Sequence, residues 1–386
     1  MQIEKILFAL LRYTVCGETV EDELKNQITP ELLPDLYKLA DKHDMAHILS
    51  KTLWDLGISG ADTTNQLRQK QMMAVYRYEK LSAAYAEICQ YFEKIKIPFL
   101  PLKGSVIRQY YPEPWMRTSC DIDVLVREED LEVAATFLEE NLHYKKGIKG
   151  THDMSIYTPT GVHLELHYRM VEERSSRERE DALLNDIWQY VSPETEGKFQ
   201  HRMTDEMFLF YHVSHMAKHF DHGGCGIKPL MDLWLLEHKA GITVNKAADL
   251  LEQGGLLKFA HCARELAEVW FSGKEATAVT EQMESYILFG GVYGNTQKSA
   301  AVSRRKKSKW QYLMSKVFIP WKTLRHYYPV LHKHRWLTPW CNVQRWFRLV
   351  FTKDAKHSMH VIKSNAAVDN EKINTVAALF EQVGLS

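Results

Sequence analysis

The sequence lacks three features that mark well-known classes of protein. Its six cysteines lie far apart and form no C-x-x-C pair, which argues against a zinc ribbon and against a disulfide framework. No apolar run approaches the ~18–20 residues that span a bilayer, which argues against a transmembrane segment. Internal repeats and low-complexity segments are missing as well. These absences predict ordinary folded domains in a reducing, cytoplasmic setting.

A net charge is lacking too, but the charges are unevenly distributed along the chain. The 386 residues contain 49 Lys and Arg and 49 Asp and Glu. Residues 300–366 contain 15 Lys and Arg and a single acid, Asp354, so this segment carries +14 and the remainder −14. Only the basic segment therefore invites an anionic partner.

The hydrophobic pattern divides the chain into four parts. Hydrophobic residues make up 45% of the sequence, enough to bury a real core. Helical spacing, as in Pro30–Leu56, surrounds a short stretch with strand-like segments at Ile97–Leu102, Cys120–Arg127 and Val162–Tyr168. The predicted parts are a helical region at 1–95, an α/β core at 96–175, a helical domain at 176–295 and a basic, aromatic, helical region at 296–386.

Two aspartates, Asp121 and Asp123, stand in the strand-like run D-I-D-V-L-V. Alternate side chains of a strand point to one face, so both carboxylates share a face while Ile122, Val124 and Val126 point into a core. Neighbouring carboxylates repel each other unless a cation or solvent compensates them. Mg²⁺, or Mn²⁺ in its place, is the natural partner because it takes oxygen ligands and retains waters and substrate phosphates.

A third acid, Glu165, lies on a later predicted strand. In V-H-L-E-L-H-Y, residues 162–168, the side chains of His163, Glu165 and His167 share the face opposite the apolar residues. If this strand pairs beside the first, Glu165 completes a carboxylate triad. Such a triad can hold two metal ions, one that activates an attacking hydroxyl and one that binds a triphosphate. The alternative is a solvent-exposed edge with ordinary polar alternation.

The turn Lys103-Gly104-Ser105 follows the first predicted strand and opens a helix. Backbone amides at such a turn can bind phosphate oxygens, and glycine permits their close approach. Ser105 adds a hydroxyl and Lys103 a cation, while Arg117 either reaches the phosphates from its loop or is a surface arginine. The alternative for Gly104 is a tight strand-to-helix turn without a ligand.

Together these residues resemble the DNA polymerase β-like nucleotidyltransferase superfamily. The resemblance rests on Gly104-Ser105, a fifteen-residue spacer, the D-x-D pair and a distant acid. An uncharacterised bacterial nucleotidyltransferase family is similar more narrowly, between about Phe99 and Arg169. The motifs that carry this narrower similarity are Leu102-Lys-Gly104, Tyr111-Pro112, Arg117, Asp121-Ile-Asp-Val-Leu-Val126 and Leu164-Glu-Leu-His167.

The resemblance implies an α+β fold, with a small mixed β-sheet nucleotidyltransferase core embedded in a mostly α-helical chain. It implies a nucleoside triphosphate as substrate and Mg²⁺ (or Mn²⁺) held by three catalytic residues, Asp121, Asp123 and Glu165. Glu165 would also deprotonate the acceptor hydroxyl, with a longer reach than the Asp that is commoner in the superfamily. It implies that Gly104 and Ser105 contact the phosphates, and the full set of predicted nucleotide-binding residues is Lys103, Gly104, Ser105, Arg117 and His167.

The leading functional hypothesis is Mg²⁺-dependent transfer of an NMP group, with AMP favoured, and release of pyrophosphate. No acceptor-binding motif is recognisable, so a sugar, a lipid-linked glycan, a protein and an RNA all stay open as acceptors. Two alternatives remain beside it. One is a catalytically inactive protein that binds nucleotide or acts as a scaffold, and the other is a toxin-like transferase that modifies tRNA or protein.

A predicted helix at 204–220 carries His215 and His219 at i,i+4. These residues could bind a transition metal with Asp232 or His222. The favoured interpretation is a helix that packs over the active-site cleft without a dedicated metal site. Lys228 and Asp232, also at i,i+4, are predicted to form an ion pair on one helix face.

The basic segment 300–366 interleaves aromatic residues with Lys and Arg. Three interpretations fit this composition: stacking on nucleic acid, contact with an anionic membrane surface, and aromatic residues that dock on the protein's own core. Prolines at 320, 329 and 339 predict several short helices. Peripheral membrane contact through this segment therefore stays open beside the cytoplasmic location.

Overall fold

The computed structural model describes residues 2–172, 177–291, 317–325, 327–351 and 370–385, with positions 302, 311 and 314 between them. Five helices precede the sheet: α1 (Gln2–Leu11), α2 (Asp22–Asn26), α3 (Leu33–Lys42), α4 (Ala46–Asp55) and α5 (Ala61–Lys94). The last of these runs for 34 residues because its sequence contains neither glycine nor proline. Pro98 follows it and leads into the first strand.

Five strands form a mixed sheet in the centre of the chain. They are β1 (Phe99–Pro101), β2 (Asp121–Val126), β3 (Lys145–Lys149), β4 (Asp153–Tyr157) and β5 (His163–His167), with α6 (Lys103–Ile107) after β1 and α7 (Leu131–Leu142) after β2. The order is β1-β2-β5-β4-β3, and only β2 and β5 among these pairs are parallel. A parallel pair needs a crossover, which α7, β3 and β4 supply. The predicted α+β fold with a small mixed sheet is confirmed.

The two faces of the sheet pack against different parts of the chain. On one face Ile122 and Val124 join α5 and α7 in a core that includes Phe92 and Leu138. On the other face Leu125 belongs to a larger core built from the flanking helices. Because side chains alternate along β2, the two aspartates share the face of Leu125. The acids therefore face the helical part of the protein.

The helices after the sheet complete this larger core. They are α8 (Glu178–Asn185), α9 (Asp205–Asp221), α10 (Lys228–Leu235), α11 (Ala248–Gly254), α12 (Leu257–Ser272) and α13 (Ala278–Gly290), with a hairpin of β6 (Val191–Pro193) and β7 (His201–Met203) after α8. Residues from α1, α3 and α4 share one hydrophobic core with α9, α10 and α12. The predicted domain boundaries stay a prediction.

The C-terminal part contains five elements in the described residues, and three of them begin at or beside the prolines 320, 329 and 339, as expected. They are α14 (Trp321–Leu324), 3₁₀ turns at Pro329–His332 and Arg335–Leu337, α15 (Thr338–Phe351) and α16 (Asn370–Gln382). Phe380 of α16 is buried in the larger core, whereas Leu324, Leu331 and Cys341 form a small core of their own. Within the described ranges, the search for a helix with the length and apolarity of a membrane span found none.

Candidate active site

The three predicted acids lie on two neighbouring parallel strands. The register of β2 and β5 sets Asp123 opposite Glu165 and Asp121 opposite His163. Residues opposite each other in a ladder point to the same face of the sheet. The structure therefore brings Asp121, Asp123 and Glu165 together, and their catalytic role stays a prediction.

Two sets of three side chains lie close enough to share a metal ion. Asp121, His163 and Glu165 form one set, and Asp123, Glu165 and His167 form the other. The ligand atoms of each set lie within 4.8 Å of one another. Carboxylate oxygens suit Mg²⁺ and Mn²⁺, whereas imidazole nitrogens suit transition metals. The donor set fits one or two divalent cations, with Glu165 common to both positions.

His167 compensates the charge of two of these acids. Its Nε2 lies 3.2 Å from Asp123 Oδ1 and 3.5 Å from Glu165 Oε2. Burial opposes the charged imidazole, but hydrogen bonds to the two carboxylates and their charges raise the pKa of His167 to about 9. The protonated His167 thus compensates the negative charge of Asp123 and Glu165, as a bound divalent ion would.

The two aspartates differ in their electrostatic environment. Burial raises the pKa of Asp121, and the charge of Asp123 raises it further, against a hydrogen bond from Ser119. Ser119 Oγ donates to Asp121 Oδ1 at 3.0 Å. Burial also raises the pKa of Asp123, but the hydrogen bond and charge of His167 and the charge of Lys103 bring it below its usual value. An added cation would therefore stabilise the ionised form of Asp121 more than that of Asp123.

The acids open into a cleft of about 820 Å³. This volume falls in the range of roughly 300–1,000 Å³ that is typical of small-molecule sites. Three helices contribute further lining residues, namely Arg77 of α5, Tyr211, His215 and His219 of α9, and Lys228 of α10. The cleft therefore joins an acidic sheet face to a helical wall rich in cations and histidines.

The predicted phosphate-binding turn forms the start of α6. Lys103 and Gly104 line the cleft, whereas Ser105 is not among its described lining residues. A Cβ added to Gly104 would lie 3.6 Å from Arg117 Nη1 and 3.6 Å from Ser119 Oγ, an ordinary contact distance. Packing within the protein therefore leaves room for a larger residue at position 104. Burial lowers the pKa of Lys103 to about 7, although the charge of Asp123 acts in the opposite direction.

Arg117 is buried, which corrects its interpretation as a surface arginine. Its Nε and Nη2 donate to the two carboxylate oxygens of Asp232 at 2.9 and 2.8 Å. The hydroxyl of Tyr111 donates to the same carboxylate at 2.7 Å. Nη1 is the guanidinium nitrogen near the Gly104 turn. Arg117 lines the cleft, and its contact with phosphates stays a prediction.

The predicted ion pair between Lys228 and Asp232 is wrong. Lys228 Nζ pairs with Asp44 at 2.6 Å and donates to Thr118 Oγ1 at 2.7 Å. Asp232 pairs with the buried Arg117. The reason is geometric: the planar guanidinium offers a carboxylate two parallel hydrogen bonds, which a lysine at i−4 cannot match.

His215 and His219 lie on the cleft wall, as the favoured interpretation expected. Their Nε2 atoms are 3.2 Å apart, close enough for one ring to donate to the other. Asp232 is engaged by the buried arginine, and His222 Nδ1 bonds to a carbonyl of its own helix. In the part of the chain that the structure describes, no set of three ligands contains His215 or His219. Burial lowers the pKa of His219 to about 4.

Three residues near the acids received no role from the sequence. His163 could have been found, because its alternation with Glu165 puts both on one face. Ser119 and Tyr211 could not, since only the folded chain brings them to the site. The Lys103 ammonium lies 5.7 Å from the centre of the Tyr211 ring, a cation–π distance.

The fold and the site indicate a class of enzyme. Carboxylates that share one face of adjacent strands beside a ligand-sized cleft are typical of enzymes that transfer phosphoryl or nucleotidyl groups with the help of divalent ions. The model of a family described as uncharacterised nucleotidyltransferase matches residues 30–272, more than half of the sequence, and the chain belongs to this family. Searches of curated proteins and of solved structures found no match. The family match spans all five strands of the sheet and the helices that line the cleft.

Proposed function

We propose that the chain transfers a nucleoside monophosphate, in the first instance AMP, from a nucleoside triphosphate to an acceptor hydroxyl or phosphate, with release of pyrophosphate. The observation that carries this proposal is the register that sets Asp123 opposite Glu165 and leaves Asp121 on the same face of the sheet. The D-x-D pair with a third acid on a neighbouring strand also supports placement in the polymerase β-like superfamily.

The proposed reaction follows from the positions of the acids. An acceptor oxygen attacks the α-phosphorus and forms a new P–O bond, while the bond from this phosphorus to the pyrophosphate oxygen breaks. Where the acceptor is a hydroxyl, Glu165 accepts its proton, because the side chain of Glu165 is more exposed than that of Asp123, 31% against 19%. His167 orients both carboxylates. Divalent ions held by these residues would neutralise triphosphate charge and lower the pKa of the acceptor.

The residues around the Gly104 turn support binding of the triphosphate. Lys103 and Arg117 bring two cationic groups to the same part of the cleft. Arg117 is held by two hydrogen bonds to Asp232, so little freedom is lost when Nη1 meets an anion. Gly104 leaves space beside Arg117 that a phosphate oxygen can enter.

The proposal is tested with α-labelled nucleoside triphosphates and a cell extract. Wild-type protein is expected to transfer label to one class of acceptor, which separation of RNA, protein and small sugars or lipids identifies. Asp121→Asn/Asp123→Asn is expected to transfer none while it keeps the far-UV circular dichroism of the wild type. Glu139→Gln/Glu140→Gln, which neutralises two exposed acids of α7, serves as the matched control and should transfer normally.

Equal transfer by wild type and the Asp121→Asn/Asp123→Asn variant would remove the proposal. Calorimetry separates it from the inactive alternative. Binding of nucleotide to the wild type without label transfer or pyrophosphate release, across the extract and a panel of purified acceptors, would assign the cleft to a nucleotide-binding scaffold.

A further inference from the structure

The C-terminal segment 317–351 exposes an unusual amount of apolar surface. Fifteen large hydrophobic side chains are exposed in the described part of the chain, and seven of them lie between residues 317 and 347. The four most exposed of these seven range from 62% to 75%. They are Tyr327, Trp336, Trp340 and Phe347, and we name them the aromatic surface.

The inner side of this segment is already satisfied by its own contacts. Leu324, Leu331 and Cys341 form its small core. Trp321 Nε1 donates to the Leu331 carbonyl at 2.8 Å, and Trp346 Nε1 donates to the Val317 carbonyl at 2.7 Å. Packing within the segment therefore accounts for Trp321 and Trp346, whereas Trp336 and Trp340 stay 75% and 68% exposed.

The helix α15 has one buried side and another side with exposed aromatic rings. Cys341 and Asn342 are buried on its inner side, where Asn342 bonds to both backbone polar groups of Ile319. Trp340 and Phe347, seven residues apart, lie on one side of the helix because two turns separate them. Exposed apolar rings on one side of a helix that is already buried on another side are typical of a surface that binds a partner.

The charge of the segment indicates what covers the outer side. Residues 317–351 contain six Lys and Arg and no Asp or Glu. Lys333 and Arg335 are exposed beside Trp336. Lysine and arginine side chains, which have aliphatic stems, together with exposed aromatic rings suit a surface that has anionic groups outside and an apolar layer beneath them.

We propose that the aromatic surface docks the chain on an anionic phospholipid bilayer. Tryptophan and tyrosine favour the headgroup zone of a bilayer, where the indole N–H finds a polar partner. In the described part of the chain the structure gives the indole N–H groups of Trp336 and Trp340 no partner. Two aliphatic residues of the same segment, Val317 and Val330, are exposed as well. Aliphatic side chains cannot stack on bases but gain from burial at the acyl boundary, which favours a bilayer over a nucleic acid.

The test is co-sedimentation of the full chain with vesicles, without any nucleotide, so its outcome does not depend on the proposed catalysis. Vesicles of phosphatidylcholine alone are compared with vesicles of equal parts phosphatidylcholine and phosphatidylglycerol. Wild type is expected to sediment with the second kind only, and less so as salt is raised. Trp336→Ala/Trp340→Ala is expected to bind about tenfold more weakly or worse. The control, Trp54→Ala, removes an exposed tryptophan of α4 and should bind as wild type does.

Three results would overturn the proposal. The first is absence of sedimentation with both kinds of vesicle. The second is sedimentation that depends neither on the aromatic surface nor on phosphatidylglycerol. Full binding by Trp336→Ala/Trp340→Ala, or equal binding of wild type to both kinds of vesicle, would show this. The third is that the protein shifts single-stranded RNA in a gel but does not bind phosphatidylglycerol vesicles. This result would assign the surface to nucleic acid. Thermal unfolding of each variant shows that the fold is kept.

Discussion

The buried ion pair between Arg117 and Asp232 allows a quantitative prediction. Asp232→Asn keeps the size of the side chain and removes its charge. Arg117 stays charged because a guanidinium does not deprotonate in proteins. It is then left buried with a neutral partner, and the hydrogen bond from Tyr111 loses its charged acceptor.

Loss of one partner from a buried ion pair destabilises a protein by about 3–5 kcal/mol, because the other charge remains uncompensated. The matched control is Asp44→Asn, which breaks the pair with Lys228. The side chain of Asp44 is 43% exposed, against 1% for Asp232, so solvent screens that pair more strongly and a smaller loss is expected. Asp44 has a positive φ of 57°, and asparagine tolerates this conformation as well as aspartate does.

The assay is equilibrium unfolding by urea of wild type, Asp232→Asn and Asp44→Asn, each without nucleotide. The expected order of midpoints is wild type, then Asp44→Asn slightly lower, then Asp232→Asn far lower. Tyr111→Phe should fall between the two variants, since it removes one hydrogen bond to a charged group, about 1.5–3 kcal/mol. If Asp232→Asn unfolds no more easily than Asp44→Asn, the argument from burial is refuted.

Three further predictions concern the site and two histidines, His219 of the cleft wall and His43, which is buried at the end of α3. Gly104→Ala should leave the thermal unfolding midpoint within a degree or two of wild type (about 0.5 kcal/mol), since the nearest atoms would lie 3.6 Å from the added methyl group. The same variant should bind ATP more weakly in calorimetry. A large loss of stability, or an unchanged ATP affinity, would contradict this prediction. Glu165→Gln should lower single-turnover transfer by about 10²-fold or more through loss of the base, and a rate near wild type would show that another group takes the proton. Burial lowers the pKa of both His43 and His219 to about 4 from an ordinary 6.5. Between pH 6.5 and pH 4 the two histidines are therefore protonated in the unfolded chain but not in the folded one. The free energy of unfolding falls as the pH falls through this range, by up to about 3 kcal/mol per histidine. The thermal unfolding midpoint should therefore be lower at pH 5 than at pH 7, and an equal or higher midpoint at pH 5 would count against buried neutral histidines.

Strand alternation carried most of what could be predicted about the site. The pattern of β2 alone puts Asp121 and Asp123 on one face, and the same rule applied to β5 puts Glu165 with two histidines. The pairing of these two strands was a condition of the prediction, and the structure shows them paired in parallel. Arg117 and Asp232 could not be paired from sequence because they lie 115 positions apart, and local spacing suggested Lys228 instead.

Breaks in periodicity explain the differences in the fold. The helical spacing of Pro30–Leu56 continues through Asp44, but the chain turns there with a positive φ and forms two helices. The hairpin of β6 and β7 went unpredicted because three-residue strands are too short to show alternation. The strand-like segments predicted at 97–102, 120–127 and 162–168 match β1, β2 and β5 to within about two residues.

The central claim is that Asp121, Asp123 and Glu165 converge on a divalent cation. The most direct measurement is a titration of the protein with Mn²⁺, followed by the electron paramagnetic resonance signal of the free ion, for wild type and Asp121→Asn/Asp123→Asn. We expect wild type to remove Mn²⁺ from solution and the variant to leave the signal of the free ion unchanged. A wild type that binds no Mn²⁺, or a variant that binds it equally well, would contradict the account.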